Sequence, residues 1–222
     1  MQYLQSSKFR LAIIVVVGLG LIYKLAVYRG LIPPVVQLLS LTRPIVCPAD
    51  ATLHQVPNTL INTDQALDQL LPANFDRRQI SILIEKSQYR LTVYYNQKPV
   101  KSYPVVFGNL VGDKQREGDR KTPEGILKIK DKYPHPSWSK FLWLDYPNAQ
   151  SECKHNLAKQ KGKIPWYSTI GGEIGIHGVP VGSDAMIDLR ENWTWGCPSL
   201  KNQDINELYD FVQIGTIVEI VA

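Results

Sequence analysis

The sequence is poor in the residues that carry metal and nucleophilic chemistry, with three cysteines and four histidines in 222 residues. Structural zinc sites need two such pairs at set spacing. Only His135 and the pair Cys153-x-His155 come near that pattern, and without a second pair at zinc-site spacing they predict no metal site. A Gly-rich phosphate loop, a dinucleotide fingerprint and a G-x-S-x-G elbow are all missing, so no cofactor is implied. Lys and Arg form no runs and the net charge is only +5, which excludes a nucleic-acid-binding tract. There is no internal repeat or low-complexity segment. The 44% hydrophobic content nonetheless suffices for a folded core.

One long apolar run is present, from Leu11 to Tyr28, interrupted by Lys24 alone. Its length lies at the short end of what crosses a bilayer core. Lys8 and Arg10 precede it, which favours a cytoplasmic N-terminus, while Lys24 and Arg29 weaken the asymmetry. The competing reading is a cleaved signal peptide, since the purely apolar part, Leu11 to Ile22, has the length of an h-region. No A-x-A-like site follows clearly, and Cys47 lacks a lipoprotein cleavage context. Residues 1–29 are therefore expected to be a membrane anchor or signal segment, with the uncleaved anchor preferred and the rest of the chain outside. Three cysteines in an exported chain leave at least one unpaired in a monomer. Two arrangements stay open: a Cys47–Cys153 disulfide with Cys197 free, or three reduced thiols.

Residues 30–78 read as a stem, broken by Pro33-Pro34, Pro44, Pro48 and Pro57. Within it, Thr63 is the expected N-cap of a short helix over residues 64–71 that Pro72 ends. From Gln79 the composition changes. Residues 80–85, 90–95 and 100–107 are rich in branched and aromatic residues with turn chemistry between them, predicting an antiparallel meander. A long polar loop, Gly108 to Thr122, leads to another strand over 126–130. Residues 133–169 read as irregular, and Trp138, Phe141, Trp143, Tyr146, Trp166 and Tyr167 either line a groove or pack under loops. Helical spacing over 202–212 and a closing strand over 215–221 end the chain.

Two segments carry nucleophile chemistry. In Ile174-Gly-Ile-His-Gly-Val-Pro180 a short buried strand presents His177 at its end, where reacting groups are often displayed. In Trp193-Thr-Trp-Gly-Cys-Pro-Ser199 the thiol of Cys197 needs a base to act as a nucleophile, and His177 is the nearest in sequence. Gly196 permits close backbone approach, and the Cys197 amide can face an oxyanion, whereas Pro198 has no N–H to offer. Equally, a lone Cys is commonly a small buried hydrophobe and a lone His a satisfied core residue.

Residues 79–222 carry, in order, Pro104-Val-Val-Phe-Gly108, Gly118-Asp-Arg-Lys-Thr-Pro-Glu-Gly125, Ile176-His-Gly178, Trp193-Thr-Trp-Gly-Cys197 and Gly215-Thr-Ile-Val-Glu-Ile220. This series resembles the YkuD-type L,D-transpeptidase catalytic domain, and within it the YafK-like murein transpeptidases. The resemblance implies a mostly β, sandwich-like fold of antiparallel strands with short helices, preceded by the N-terminal transmembrane helix. It implies Cys197 as nucleophile, His177 as proton donor and acceptor, and Gly178, Thr194, Trp195 and Gly196 as substrate-binding or oxyanion residues. The implied partners are peptidoglycan stem peptides and an amine acceptor, including an amine-bearing wall-anchored protein; hydrolysis at the same site and an inactive wall-binding module are the alternatives. The implied location is the bacterial inner membrane, single-pass, with the catalytic domain on the periplasmic or outer side. Two departures stand out: Trp195 replaces a second histidine common in the family, and Ser199 stands where Arg or Asn is usual. Arg120 or Arg190 is then the expected source of charge for a substrate carboxylate.

Overall fold

The computed structural model describes residues 2–35, 44–48, 52–56 and 59–222, with side chains described from residue 10 onward. Pro57 and parts of the predicted stem lie outside the described residues. Helix α1 spans Gln2–Tyr28. Its Arg10–Tyr28 portion has a mean hydropathy of 2.3 and no part buried against the protein. An apolar helix of roughly 30 Å with no protein partner matches a membrane span or a signal sequence in length and composition.

The strands are β1 (Ile80–Glu85), β2 (Arg90–Tyr95), β3 (Lys98–Pro104), β4 (Gly125–His135), β5 (Ser139–Leu144), β6 (Gly175–Gly178), β7 (Ser199–Leu200) and β8 (Ile217–Val221). They form one eight-stranded sheet in the order β3-β2-β1-β8-β4-β5-β6-β7. The predicted meander is there, with β2 antiparallel to both β1 and β3. Two pairs, β1 with β8 and β6 with β7, are parallel. Strand β4 holds the two halves together. Its Gly125–Lys128 end pairs with β8, and its Ile129–His135 end pairs with β5 after a register shift between Ile129 and Asp131. Such an irregularity bends a strand and re-aims the residues beyond it.

Both halves face one core that includes Ile82, Leu91, Val218, Leu142 and Ile176. Helix α2 is Leu67–Leu70, α3 is Ala149–Gln160, α4 is Ala185–Asp188 and α5 is Asn202–Phe211. Ile205 and Leu208 of α5 join the core, closing it beside β5 and β6. The fold is thus mostly β with short helices.

Two expectations need correction. Residues 133–169 are not irregular throughout, because β4 runs on to His135 and β5 and α3 come after it. The mixed polar and apolar sequence of α3 obscures it. Its start signal is nevertheless present, since the Asn148 side chain accepts the Ser151 N–H at 3.0 Å as an N-cap. The short helix near residue 67 has Ala66, not Thr63, at its N-cap, and the Thr63 hydroxyl instead donates to Asp64. A tertiary carboxylate replaces the local cap: Glu207 accepts the Leu67 N–H at 2.6 Å, and also bonds Lys101 and the Tyr103 hydroxyl.

The segment before β1 lies against the sheet. His54 Nδ1 meets Glu219 at 2.6 Å and its Nε2 meets Ser81 Oγ at 2.7 Å, while the ring packs on Tyr94. The Tyr94 hydroxyl in turn donates to the Gln55 carbonyl at 2.5 Å. A disulfide joins Cys47 to Cys153 of α3 across 106 residues, leaving Cys197 the free thiol.

Candidate active site

The Cys197 and His177 segments meet because β6 and β7 run side by side. His177 pairs with Ser199, and its N–H donates to the Pro198 carbonyl at 3.2 Å, directly after Cys197. On its other side His177 pairs with Phe141 of β5. Both side chains line one cavity of about 870 Å³.

Aromatic neighbours fix the imidazole. Trp138 stacks on it at 4.4 Å between ring centres, Phe141 lies parallel at 5.8 Å, and Trp193 meets it edge-on at 5.6 Å. His177 Nδ1 is 2.7 Å from the Gly178 carbonyl, an acceptor only, so Nδ1 carries the proton. That leaves the Nε2 lone pair free to act as a base. Burial pushes the imidazole pKa down to about 4, because a charged ring would lose its water.

The Cys197 thiol donates to the Glu173 carbonyl at 3.6 Å. Burial pushes its pKa up to about 11, opposed by the Gly175 backbone hydrogen bond and the Lys114 charge. Burial thus favours the neutral form of both the thiol and the imidazole that share this cavity.

Thr194 shapes the turn that carries the cysteine. Its hydroxyl donates to the Cys197 carbonyl at 2.6 Å and accepts the Gly196 N–H at 3.1 Å. The Gly196 amide is therefore occupied, whereas the Cys197 amide has no acceptor among the described residues and is available as a donor. Gly196 adopts φ 143°, and a Cβ there would stand 2.8 Å from the Lys121 carbonyl. At Gly178 a Cβ would stand 2.1 Å from Asn202 Oδ1 and 2.7 Å from the Trp138 carbonyl. These glycines stand behind the cavity and allow its walls to close, whereas Thr194 and Trp195 line it. Trp195 is 72% exposed and carries the Arg120 guanidinium on its ring at 5.3 Å.

Of the six aromatic residues singled out in the predicted irregular region, Trp138, Phe141 and Trp143 line the cavity, as does Tyr133 at the region's start, but Tyr146, Trp166 and Tyr167 do not. Arg120 and Arg190 are absent from its lining, and Arg190 lies over Tyr89 instead. The cavity's cation is Lys114, from the long polar loop, and His135 at the end of β4 supplies a second imidazole. Lys114 is not legible in the sequence as a site residue, its one signal being the length of the loop, and His135 is visible there only as a weak metal-ligand candidate. The Cys153-x-His155 pair does not face a metal: Cys153 is in the disulfide, and His155 Nδ1 meets the Gln115 carbonyl at 2.5 Å.

The model of the YkuD family, the L,D-transpeptidase catalytic domain, matches residues 79–220. Among solved structures, Bd1075 of Bdellovibrio bacteriovorus aligns at 21% identity and TM-score 0.45, covering 75% of this chain and 53% of its own. The helical cell shape determining protein Pgp2 from Campylobacter jejuni aligns at 26% identity and TM-score 0.45, covering 69% and 53%. An L,D-transpeptidase from Mycobacterium smegmatis aligns at 14% identity and TM-score 0.43, covering 65% and 59%. The matched region spans little more than half of each of these proteins. No curated protein sequence matches the chain significantly. With the family model covering most of the chain, and with a mostly β sheet and short helices to match, the protein belongs to the YkuD family of L,D-transpeptidase catalytic domains.

Proposed function

We propose that this chain is a membrane-anchored peptidoglycan L,D-transpeptidase in which Cys197 is the nucleophile and His177 the proton carrier. The observation that carries the reading is the shared cavity, where a free thiol and an imidazole with its Nε2 lone pair unused stand on adjoining segments. Family membership supplies the substrate class, the peptide stems of peptidoglycan.

Burial favours the neutral form of both groups, which supports general-base catalysis as the first step. His177 Nε2 takes the thiol proton as sulfur bonds to the carbonyl of the diamino acid at position three of a tetrapeptide stem. The developing oxyanion is met by the Cys197 amide. As the C–N bond breaks, the imidazolium returns its proton to the departing D-alanine amine, leaving a thioester. An amine from a second stem, or from a wall-anchored protein, then attacks the thioester and regenerates the thiol. Water in place of the amine gives hydrolysis. Helix α1 would hold this domain on the outer side of the cytoplasmic membrane, facing the wall.

The test incubates the full chain in detergent with tetrapeptide muropeptides, with and without an amine acceptor, and separates the products by mass. Cross-linked dimers indicate transfer, and shortened monomers indicate the hydrolytic variant. Cys197→Ala should give neither product and no covalent adduct with a carbapenem; a Cys197→Ala chain that still turns over removes the assignment. His177→Ala should slow acylation by roughly 10²–10⁴.

A further inference from the structure

Lys114 brings a buried positive charge to the wall of the cavity that holds Cys197. Its side chain is 4% exposed, and an ammonium ion in such a place must be held by acceptors. Two are present: Asp119 Oδ1 at 3.0 Å and the Arg116 carbonyl at 3.1 Å. An ammonium has three N–H donors, so one remains for a group that enters the cavity.

Asp119 does not hold Lys114 merely as a counter-ion. Its carboxylate also accepts the N–H groups of Gln115, Arg116 and Lys121 at 2.7, 3.0 and 3.2 Å. Burial works against the charge, yet the backbone donors and Lys114 keep this carboxyl below its ordinary pKa. The loop is thus folded around Asp119 so that the lysine is presented to the cavity. The other charged side chains lining it are Glu117, bonded to the Thr169 hydroxyl, and Glu173, and both repel an anion. Entering anions therefore have one favourable point of contact.

We propose that Lys114 docks the C-terminal carboxylate of the donor peptide, on the amino acid that leaves when Cys197 is acylated. This rests on the transpeptidase reading above. The carboxylate stands one residue beyond the scissile carbonyl, a reach of about 3.5 Å, so a carbonyl placed at Cys197 brings it to the wall of the same cavity. Ammonium-to-carboxylate contact selects for chains that end at that residue.

The experiment compares the stem tetrapeptide with the same peptide amidated at its C-terminus, using the full chain in detergent. For the unmodified protein, kcat/KM should favour the free acid by roughly ten- to a hundredfold, the range for a charged hydrogen bond, mainly through KM. In Lys114→Met that ratio should collapse toward one, and Lys114→Arg should restore part of it. Equal use of acid and amide by the unmodified protein overturns the assignment with no variant needed. A Lys114→Met chain that is slower on both donors but keeps the ratio also overturns it, because that is the mark of a purely structural lysine. Turnover of neither donor by the unmodified protein sinks the transpeptidase reading itself, and the docking role with it.

Discussion

A buried imidazole kept neutral ties the stability of this protein to pH, and the direction comes from the burial of His177. Its folded pKa of about 4 lies below the ordinary value of 6.5, so the unfolded chain binds a proton across that interval while the native one does not. Stability therefore rises with pH there; the contribution is complete above pH 6.5 and is lost as pH falls toward 4. The shift corresponds to roughly 3 kcal/mol, readable as a steeper acid dependence of urea unfolding than in a His177→Gln chain. Identical slopes would count against a buried neutral ring. The thiol behaves in the opposite sense, with its pKa raised to about 11, so alkylation of Cys197 by iodoacetamide should keep rising above pH 9 and show no plateau at neutral pH. At Gly196 the constraint is steric. Gly196→Ala places a Cβ 2.8 Å from the Lys121 carbonyl in a left-handed backbone, which should cost about 1–3 kcal/mol by thermal unfolding and slow acylation of Cys197.

Among the elements, the strap formed by residues 52–56 is the part whose role depends least on its own sequence. Glu219 of β8 accepts the N–H groups of Leu53 and His54, each at 3.1 Å, and also meets the His54 ring. Removing the ring leaves a buried carboxylate short of a partner, so His54→Ala should lower unfolding stability by about 1–3 kcal/mol. An unchanged denaturation midpoint would show the strap to be loosely held. This strap also marks the limit of what is legible in the sequence. Strands β1 and β2 can be read residue for residue because branched and aromatic side chains are confined there between turn residues. His177 and Cys197 stand out because each sits in a glycine-bearing motif. His54 does not, since one histidine among prolines has no periodicity to reveal the sheet it lies on. Lys114 is hidden for a related reason: one charge in a polar loop looks solvated until Asp119 is seen to turn it inward. Helix α3 escapes a periodicity reading because its buried side, Ser151, His155 and Ala158, is scarcely apolar.

For the whole molecule, helix α1 and the disulfide bear on the proposed membrane anchoring. Helix α1 exposes its apolar side chains all round from Leu11 to Leu25, as expected of a segment solvated by lipid. The Cys47–Cys153 disulfide requires an oxidising compartment to form and persist. Under the proposed orientation, with a cytoplasmic N-terminus and one crossing, the folded part would reach such a compartment. The disulfide closes a loop spanning 106 residues, for which chain entropy predicts about 4–5 kcal/mol of stabilisation and measured cases more often give about 2–4. In cells expressing the full chain, acid quenching and then maleimide-polyethylene glycol labelling under denaturing conditions should therefore tag one cysteine before reduction and three after it. The single early tag should vanish in Cys197→Ala. Three tags without reduction would place the folded part in the reducing cytoplasm and reverse the orientation. A chain lacking residues 1–29 and kept in the cytoplasm should show that three-tag pattern, because the pairing depends on the redox state of the compartment as well as on the proximity of the two thiols.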